Sequence, residues 1–238
     1  MKAVLLAGGK GSRLAPYTTS IPKPLLPVGQ TPILEILIKQ LKHCNITDIT
    51  ICVGHLGSLI QAYFGNGEQW GVEIDYSFED TPLGTAGPIK NVETRKENFI
   101  VMNGDLLTTM NFKAFYEFHK KHNEIATIAL NERVVKNDFG VVEKNDEGCL
   151  TAYREKPESR FFVSMGIYMF NTEILNYIDK GVRLDLPDLI LRLLAKGHKV
   201  KTFVPDCRWL DIGRPEDYQE ANRIFEEKEN VYLAAAKD

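Results

Sequence analysis

Runs of apolar residues at two different periods mark out the elements of this chain. Ala3-Val4-Leu5-Leu6 is an unbroken apolar stretch of the kind that becomes a central parallel strand. Ile33, Leu34, Leu37, Ile38 and Leu41 recur at helical spacing, and Thr31-Pro32 reads as the helix start, with proline at the first helical position. Ile49 to Val53 is a second apolar strand. Leu56, Leu59, Ile60, Tyr63 and Phe64 make another helical face, stopped by Gly65-Asn66-Gly67. Val72 to Phe78 alternates as a strand, and Phe99 to Met102 is a short buried strand ending in Asn103-Gly104-Asp105. Strand, helix, strand, helix predicts an α/β fold with a Rossmann-like, mostly parallel sheet flanked by helices. Ligands of such sheets sit at the carboxyl ends of the strands, where Gly8-Gly9-Lys10-Gly11 and Asp105 both fall.

From Ile125 the pattern changes. Ile125 to Leu130 and Gly140 to Glu143 read as strands, and a turn at Asn145–Gly148 leads to a strand over Cys149–Glu155. Phe161 to Phe170 is another strand, so the sequence predicts a strand-rich insertion. Helices return at Ile174–Ile178 and Leu186–Lys196, with a strand at Val200–Val204. Trp209-Leu210-Asp211-Ile212-Gly213 precedes a last helix from Pro215 to about Glu227, and Ala234–Asp238 is expected to fray. Phe112, Phe115, Tyr116 and Phe118 read as a helix packed on the sheet.

Composition narrows the class. With 238 residues, 44% hydrophobic and 26% charged, the chain is long enough for one sizeable core. A formal charge of −3 argues against a general nucleic-acid or membrane-surface binder, while leaving room for a local cationic site. Cys44, Cys52, Cys149 and Cys207 have no metal spacing and read as buried or incidental thiols of a reducing compartment. Met1-Lys2 runs straight into a strand, and no apolar run reaches membrane-spanning length, so the cytoplasm is the expected location. The five histidines form no ligand pattern; His119 and His122, among lysines on one helix face, read as solvated.

The most informative stretch is Leu5–Val28. Glycines at 8, 9 and 11 suit a loop whose N–H groups cradle phosphate, with Arg13 two residues on and Lys23 stiffened between Pro22 and Pro24. The plain alternative is a glycine turn followed by two surface cations. A Walker loop is excluded because Gly11 follows Lys10, and a dinucleotide fingerprint begun at Gly9 would need glycine or alanine at Leu14. Taken whole, GGxGxRLxPxTxxxPKPLLPV resembles the signature of the sugar-1-phosphate nucleotidylyltransferases. Four further motifs continue the resemblance in order to about Glu227, and together they are closest to mannose-1-phosphate guanylyltransferases.

That resemblance implies a nucleotide-diphospho-sugar transferase type of fold and a single catalytic domain over 1–238. Within it, about 1–124 is the nucleotide-binding half, about 125–227 the sugar-binding and metal-completing half, and 228–238 a tail. Leu6, Ala7, Gly8, Gly9 and Gly11 would meet the nucleotide, Arg13 its triphosphate, and Lys23 the reacting α-phosphorus. Asp105 and Asp211, in NGD and WLDIG, would bind Mg²⁺, a hard ion suited to one or two carboxylates plus phosphate oxygens. Pro82–Pro88 resembles the base-binding loop, with Gly84 and Thr85 at the base and Glu79 five residues upstream. A carboxylate only accepts hydrogen bonds, matching the two adjacent donors of guanine, whereas pyrimidine-using relatives often have glutamine there. Gly140, Glu155 and Lys156 match sugar- and sugar-phosphate-binding positions, joined by Asn103 and Ser164. Ser164-Met165-Gly166 stands where the family usually has Asn-Ala-Gly, so the resemblance does not carry the identity of the sugar.

The implied reaction is Mg²⁺-dependent transfer of a nucleotidyl group from a triphosphate, with GTP favoured, to mannose 1-phosphate or a related sugar 1-phosphate. Glucose-1-phosphate thymidylyl- or uridylyltransfer is the alternative, and a catalytically silent nucleotide-sugar-binding regulator is a reading of another class. The expected partners are these two substrates, with no nucleic acid and no membrane. Homo-oligomers are common in the family, yet no exposed apolar helix in the sequence identifies an interface.

Overall fold

The strand formed by the first apolar run, β1 (Lys2–Ala7), lies near the middle of a seven-stranded sheet. The computed structural model describes residues 1–94 and 96–234. After β1 come a short ribbon, β2 (Pro27–Val28) and β3 (Thr31–Pro32), then helix α1 (Ile33–His43) and strand β4 (Asp48–Val53). Pro32 does not open the helix from within, as the sequence suggested. Its backbone is extended (ψ 142°) and pairs with Pro27, so α1 starts one residue later. Helix α2 (Gly57–Phe64) and strand β5 (Glu73–Phe78) complete one side of the sheet. Ile60 and Phe64 face the core from α2, while Leu59 and Tyr63 stay half exposed.

Strand β6 (Asn98–Asn103) returns beside β1, followed by the short β7 (Leu106–Thr108) and helix α3 (Phe112–His122). Asn111 caps α3 by accepting the Ala114 N–H at 2.9 Å. Then come β8 (Ala126–Lys136), β9 (Val141–Lys144), β10 (Leu150–Arg154), β11 (Glu158–Asn171), α4 (Leu186–Ala195), β12 (Val200–Phe203), β13 (Trp209–Asp211) and α5 (Pro215–Ala234). The sheet order is β12-β8-β11-β6-β1-β4-β5. β6, β1, β4 and β5 run parallel, and only β11 is antiparallel to its neighbours, so the mostly parallel sheet stands.

The second half is less of an insertion than its sequence implied. β8 and β11 root in the central sheet, where Ala126, Ala129, Ile167, Met169 and Phe170 are buried. Beyond Ser164 and Leu130 the same two strands run on as a solvent-facing arm, Asn131–Lys136 against Glu158–Val163. Only β9 and β10 form a separate hairpin. The Ile174–Ile178 segment is a 3₁₀ turn over Thr172–Tyr177 and not an α-helix.

The last helix also outruns its expected end near Glu227. Phe225 and Tyr232 are buried against Leu14, Leu26, Val28 and Leu107 in one cluster, and the Gln40 side-chain amide donates 2.8 Å to the Tyr232 carbonyl. Residues up to Ala234 are therefore helix and not tail; the fraying expected for the very end falls on 235–238, outside the described residues. His119 is likewise misjudged as solvated. It is buried between α3 and the sheet, with Nδ1 at 2.8 Å from Thr127 Oγ1 and Nε2 at 3.2 Å from Asn98 Oδ1. All four cysteines are free, and Cys149 is exposed. No described helix is long and apolar enough to cross a membrane.

Candidate active site

The glycine loop leaves β1 at the carboxyl edge of the sheet. Gly11 adopts φ 62° and leads into a 3₁₀ turn over Ser12–Leu14, a left-handed conformation that glycine takes without a Cβ clash. Thr18 closes the loop from behind by donating 2.9 Å to the Gly11 carbonyl. Around it lies a cavity of about 210 Å³ lined by Leu6, Ala7, Gly9, Gly11, Ser12, Arg13, Lys23, Pro24, Asp105 and Gly213. A larger space of about 610 Å³ shares Leu6, Gly9 and Asp105 with it and extends past Gly8, Glu79, Gly84, Thr85 and Asn103. The two are contiguous parts of one cleft.

Lys23 is buried, its ammonium paired with the Asp105 carboxylate. The other oxygen of that carboxylate, Oδ1, is a buried acceptor with no hydrogen-bond partner. Asp211 is brought in by antiparallel pairing of β13 with β7, which sets Asp211 opposite Leu106, next to Asp105. Burial raises the Asp211 carboxyl above its ordinary value, and the charge of Asp105 adds to the rise; Lys23 and Arg13 oppose it. These four side chains thus share one electrostatic site. Arg13 is exposed, and its guanidinium lies against Gly213, where a methyl would stand 3.5 Å from Nη2. Gly213 is held in turn by Asp217, which accepts from the Gly213 and Arg214 N–H groups at 3.2 and 2.8 Å.

The donor set fits a hard divalent cation that completes its shell from a substrate. It offers two carboxylates, one of them with an orphaned buried oxygen, and no group of three potential metal-ligating side chains occurs among the described residues.

On the other side of the loop, Glu79 Oε2 accepts the Leu83 N–H at 2.8 Å, and Oε1 lies so near Gly8 that a methyl there would be 2.8 Å away. Burial raises the Glu79 carboxyl. One of its oxygens thus also ties down the 79–83 turn, a duty its sequence position did not indicate. Gly84 and Thr85 line the cleft, but their side-chain positions are committed to structure. Gly84 has φ 78°, and a Cβ would be 2.5 Å from the Leu184 carbonyl; the Thr85 hydroxyl accepts the Leu186 N–H at 2.7 Å, capping α4. Cys52 also lines this space, and burial together with Glu79 pushes its thiol up to about 12, so it offers no thiolate nucleophile near neutral pH.

The residues expected at the sugar are spread more widely. Asn103 lines the larger cavity, its amide against Gly166. The exposed Ser164 shares a 2.9 Å hydrogen bond with the Tyr168 hydroxyl at an irregularity in β11 and accepts the Gly166 N–H at 3.2 Å. Gly140, Glu155 and Lys156 belong to the β9–β10 hairpin and its exit, and line neither cavity. Lys156 carries a positive φ of 44°, a conformation costing a non-glycine residue about 1 kcal/mol and concentrated at functional positions. Tyr153 escaped the sequence reading, although its hydroxyl donates 3.0 Å to Glu155 Oε2. The usable signal was its place two residues before Glu155 in a stretch whose sequence reads as a strand, a spacing that puts two side chains on one face.

Comparison with known proteins supplies the family. The nucleotidyl transferase family profile matches residues 2–228. The chain is 34% identical to UTP–glucose-1-phosphate uridylyltransferase of Synechocystis, covering 98% of this chain and 66% of that one. It is 30% identical to D-glycero-alpha-D-manno-heptose 1-phosphate guanylyltransferase of Aneurinibacillus thermoaerophilus, over 94% of this chain and 97% of the relative. It therefore spans about two thirds of the length of the first relative and nearly all of the second. Among solved structures, HddC from Yersinia pseudotuberculosis complexed with GMP-PN superposes with a TM-score of 0.73 at 26% identity, covering 94% of this chain and 99% of that one. With the family match over residues 2–228 and a sugar-1-phosphate guanylyltransferase relative covered along nearly its whole length, the chain belongs to the sugar-1-phosphate nucleotidyltransferases.

Proposed function

We propose that this chain transfers a nucleotidyl group from GTP to mannose 1-phosphate or a closely related sugar 1-phosphate. The observation that carries the reading is the convergence of the glycine loop, Arg13, Lys23, Asp105 and Asp211 around one end of a cleft. Nucleotidyl transfer needs positioning and charge neutralisation more than covalent help from the protein. N–H groups of Gly8, Gly9 and Gly11 and the Arg13 fork hold the triphosphate, with Leu6 and Ala7 beneath it. Lys23, held beside Asp105, neutralises the α-phosphate, where negative charge builds up. Asp105 and Asp211 would hold Mg²⁺, which when bound supplies further charge neutralisation to the phosphates. A phosphate oxygen of the sugar 1-phosphate forms the new bond to the α-phosphorus in line, while the bond from that phosphorus to the bridging oxygen of the β-phosphate breaks. Pyrophosphate and a nucleotide sugar leave.

Guanine is favoured by Glu79, whose Oε1 faces Gly8 and accepts no hydrogen bond from the protein among the described residues. An acceptor there suits the guanine N1–H and 2-amino group better than it suits a pyrimidine. Gly84 meets the base through its backbone, with Thr85 beside it, its N–H donating 3.0 Å to Asp185 Oδ1. Glu155 is assigned to sugar hydroxyls, Lys156 to the sugar's phosphate, and Gly140, Asn103 and Ser164 to the sugar's outline. The region of about 1–124 then serves the nucleotide and about 125–227 the sugar and metal.

Turnover measured as pyrophosphate release, with four nucleoside triphosphates against mannose, glucose and heptose 1-phosphates in Mg²⁺, tests this. GTP is expected to be fastest, and faster turnover with UTP or dTTP overturns the guanine assignment. The uridylyl relative makes UTP with glucose 1-phosphate the second reading. Absence of any pyrophosphate release, in the wild type as in Asp211→Asn, would indicate a silent binding homologue instead.

A further inference from the structure

The β9–β10 hairpin holds, at its exit, a tyrosine contact to Glu155 that the reaction scheme leaves unused. The Tyr153 hydroxyl, from the end of β10, donates at 3.0 Å to Oε2 of Glu155 in the bend just after the strand. Gly140 leaves room for this contact. A methyl on it would run into the Tyr153 hydroxyl and come within 3.1 Å of Glu155 Oε2. Arg154, between the two, pairs with Glu143 and leaves Glu155 to the tyrosine. Directly after this carboxylate, Lys156 takes the left-handed backbone conformation that turns the chain out of the hairpin.

We propose that Tyr153 is a positioning residue for the acceptor sugar, holding the Glu155 carboxylate in one orientation so that its remaining lone pairs face neighbouring sugar hydroxyls. The inference rests on the assignment of Glu155 to the sugar made above. An ionised carboxylate has about four acceptor positions, so one tyrosine bond leaves most of them for the substrate. The neutral hydroxyl fixes the group without cancelling its charge, as an arginine or lysine in that place would do. Glutamate loses more rotamer freedom than most side chains when it is immobilised, and fixing it beforehand removes that loss from the binding step. A tyrosine ring, with two rotatable bonds, is itself inexpensive to hold still.

The experiment compares wild type, Tyr153→Phe, Glu155→Ala and the double variant, using the triphosphate and sugar 1-phosphate that turn over fastest in the screen above. Tyr153→Phe keeps the ring and removes only the hydroxyl. It is expected to raise KM for the sugar 1-phosphate about threefold to tenfold, the range for one hydrogen bond, with KM for the triphosphate unchanged. In the Glu155→Ala background the same substitution adds nothing, because the two residues act through one contact. A sugar-phosphate KM that Glu155→Ala alters and Tyr153→Phe leaves at the wild-type value overturns the positioning role alone. So does an equal rise for both substrates, or full additivity in the double variant. A KM untouched by Glu155→Ala overturns the assignment of Glu155 itself, and the positioning role with it.

Discussion

Lys23 and Glu155 are both charged side chains assigned to substrate, and the fold holds them in opposite ways. Lys23 is buried, sits between two prolines and is ion-paired to Asp105. Glu155 is exposed on a hairpin outside the main sheet and is held by one tyrosine hydroxyl. The same contrast runs through their surroundings. Around the phosphate loop, backbone meets backbone, as where the Gly104 N–H donates 2.9 Å to the Leu6 carbonyl. Around the hairpin the neighbours are side-chain ends, and Phe139, Val142, Leu150 and Tyr153 are all more than half exposed. The phosphate end needs fixed charge in a fixed place, since displacement by 1 Å at the reacting phosphorus is expensive in rate. The proposed sugar end has to accept one sugar 1-phosphate and reject others, a task that adjustable side chains can perform.

The largest effect expected from breaking this contrast lies at Lys23. Lys23→Ala should lower the pyrophosphate release rate about 10²- to 10³-fold, the scale for losing one charge-stabilising group in a reaction centre. A loss of less than tenfold would mean that the phosphate end is not where the barrier is lowered. The seam between the halves comes next. His119 joins α3 to Asn98 of β6 and Thr127 of β8, and burial lowers its pKa to about 4 from 6.5. The unfolded chain therefore binds the proton first as pH falls. Stability is complete above about pH 6.5 and declines toward pH 4, by up to about 3 kcal/mol at 1.36 kcal/mol per pH unit. Urea midpoints across that range should show the decline in wild type and a shallower one in His119→Gln.

A matched pair of glycine substitutions tests rigidity directly. Gly84→Ala must place a Cβ at a φ of 78° and 2.5 Å from a backbone carbonyl, so a loss of about 2 kcal/mol is expected in denaturant unfolding. Gly140→Ala meets only side-chain ends that can swing away, so its stability should change by less than about 0.5 kcal/mol while KM for the sugar phosphate rises. Similar stability losses in both would erase the contrast. Glu79→Gln keeps an acceptor but adds a donor, and GTP preference over UTP should fall by about tenfold. An unchanged ratio would remove Glu79 from base recognition.

The contrast also explains what the sequence made legible. β1, β4 and β6 are buried on both faces, so their apolar runs stand out without reference to any partner. Lys23 and the two aspartates lie in strings whose resemblance spans most of the chain. The arm over Asn131–Lys136 has no such signal, because Asn-Glu-Arg-Val-Val-Lys follows neither period. It is a strand only because β11 pairs with it residue by residue. His119 was concealed by its neighbouring lysines, and Tyr232 by the acidic run before it, since in each case burial is set by a distant element. Tyr153 was invisible for the same reason: its meaning depends on what Gly140 leaves open.

The β7–β13 ribbon gives the carboxylate pair an all-or-none character. Successive strand residues face opposite sides, so sliding β13 by one position would turn Asp211 away and present Leu210 or Ile212 in its place. No intermediate offset preserves the backbone ladder. The spacing of the two acids is thus quantised by main-chain hydrogen bonding, and drift in this segment can conserve the pair only by leaving the ribbon's alignment untouched.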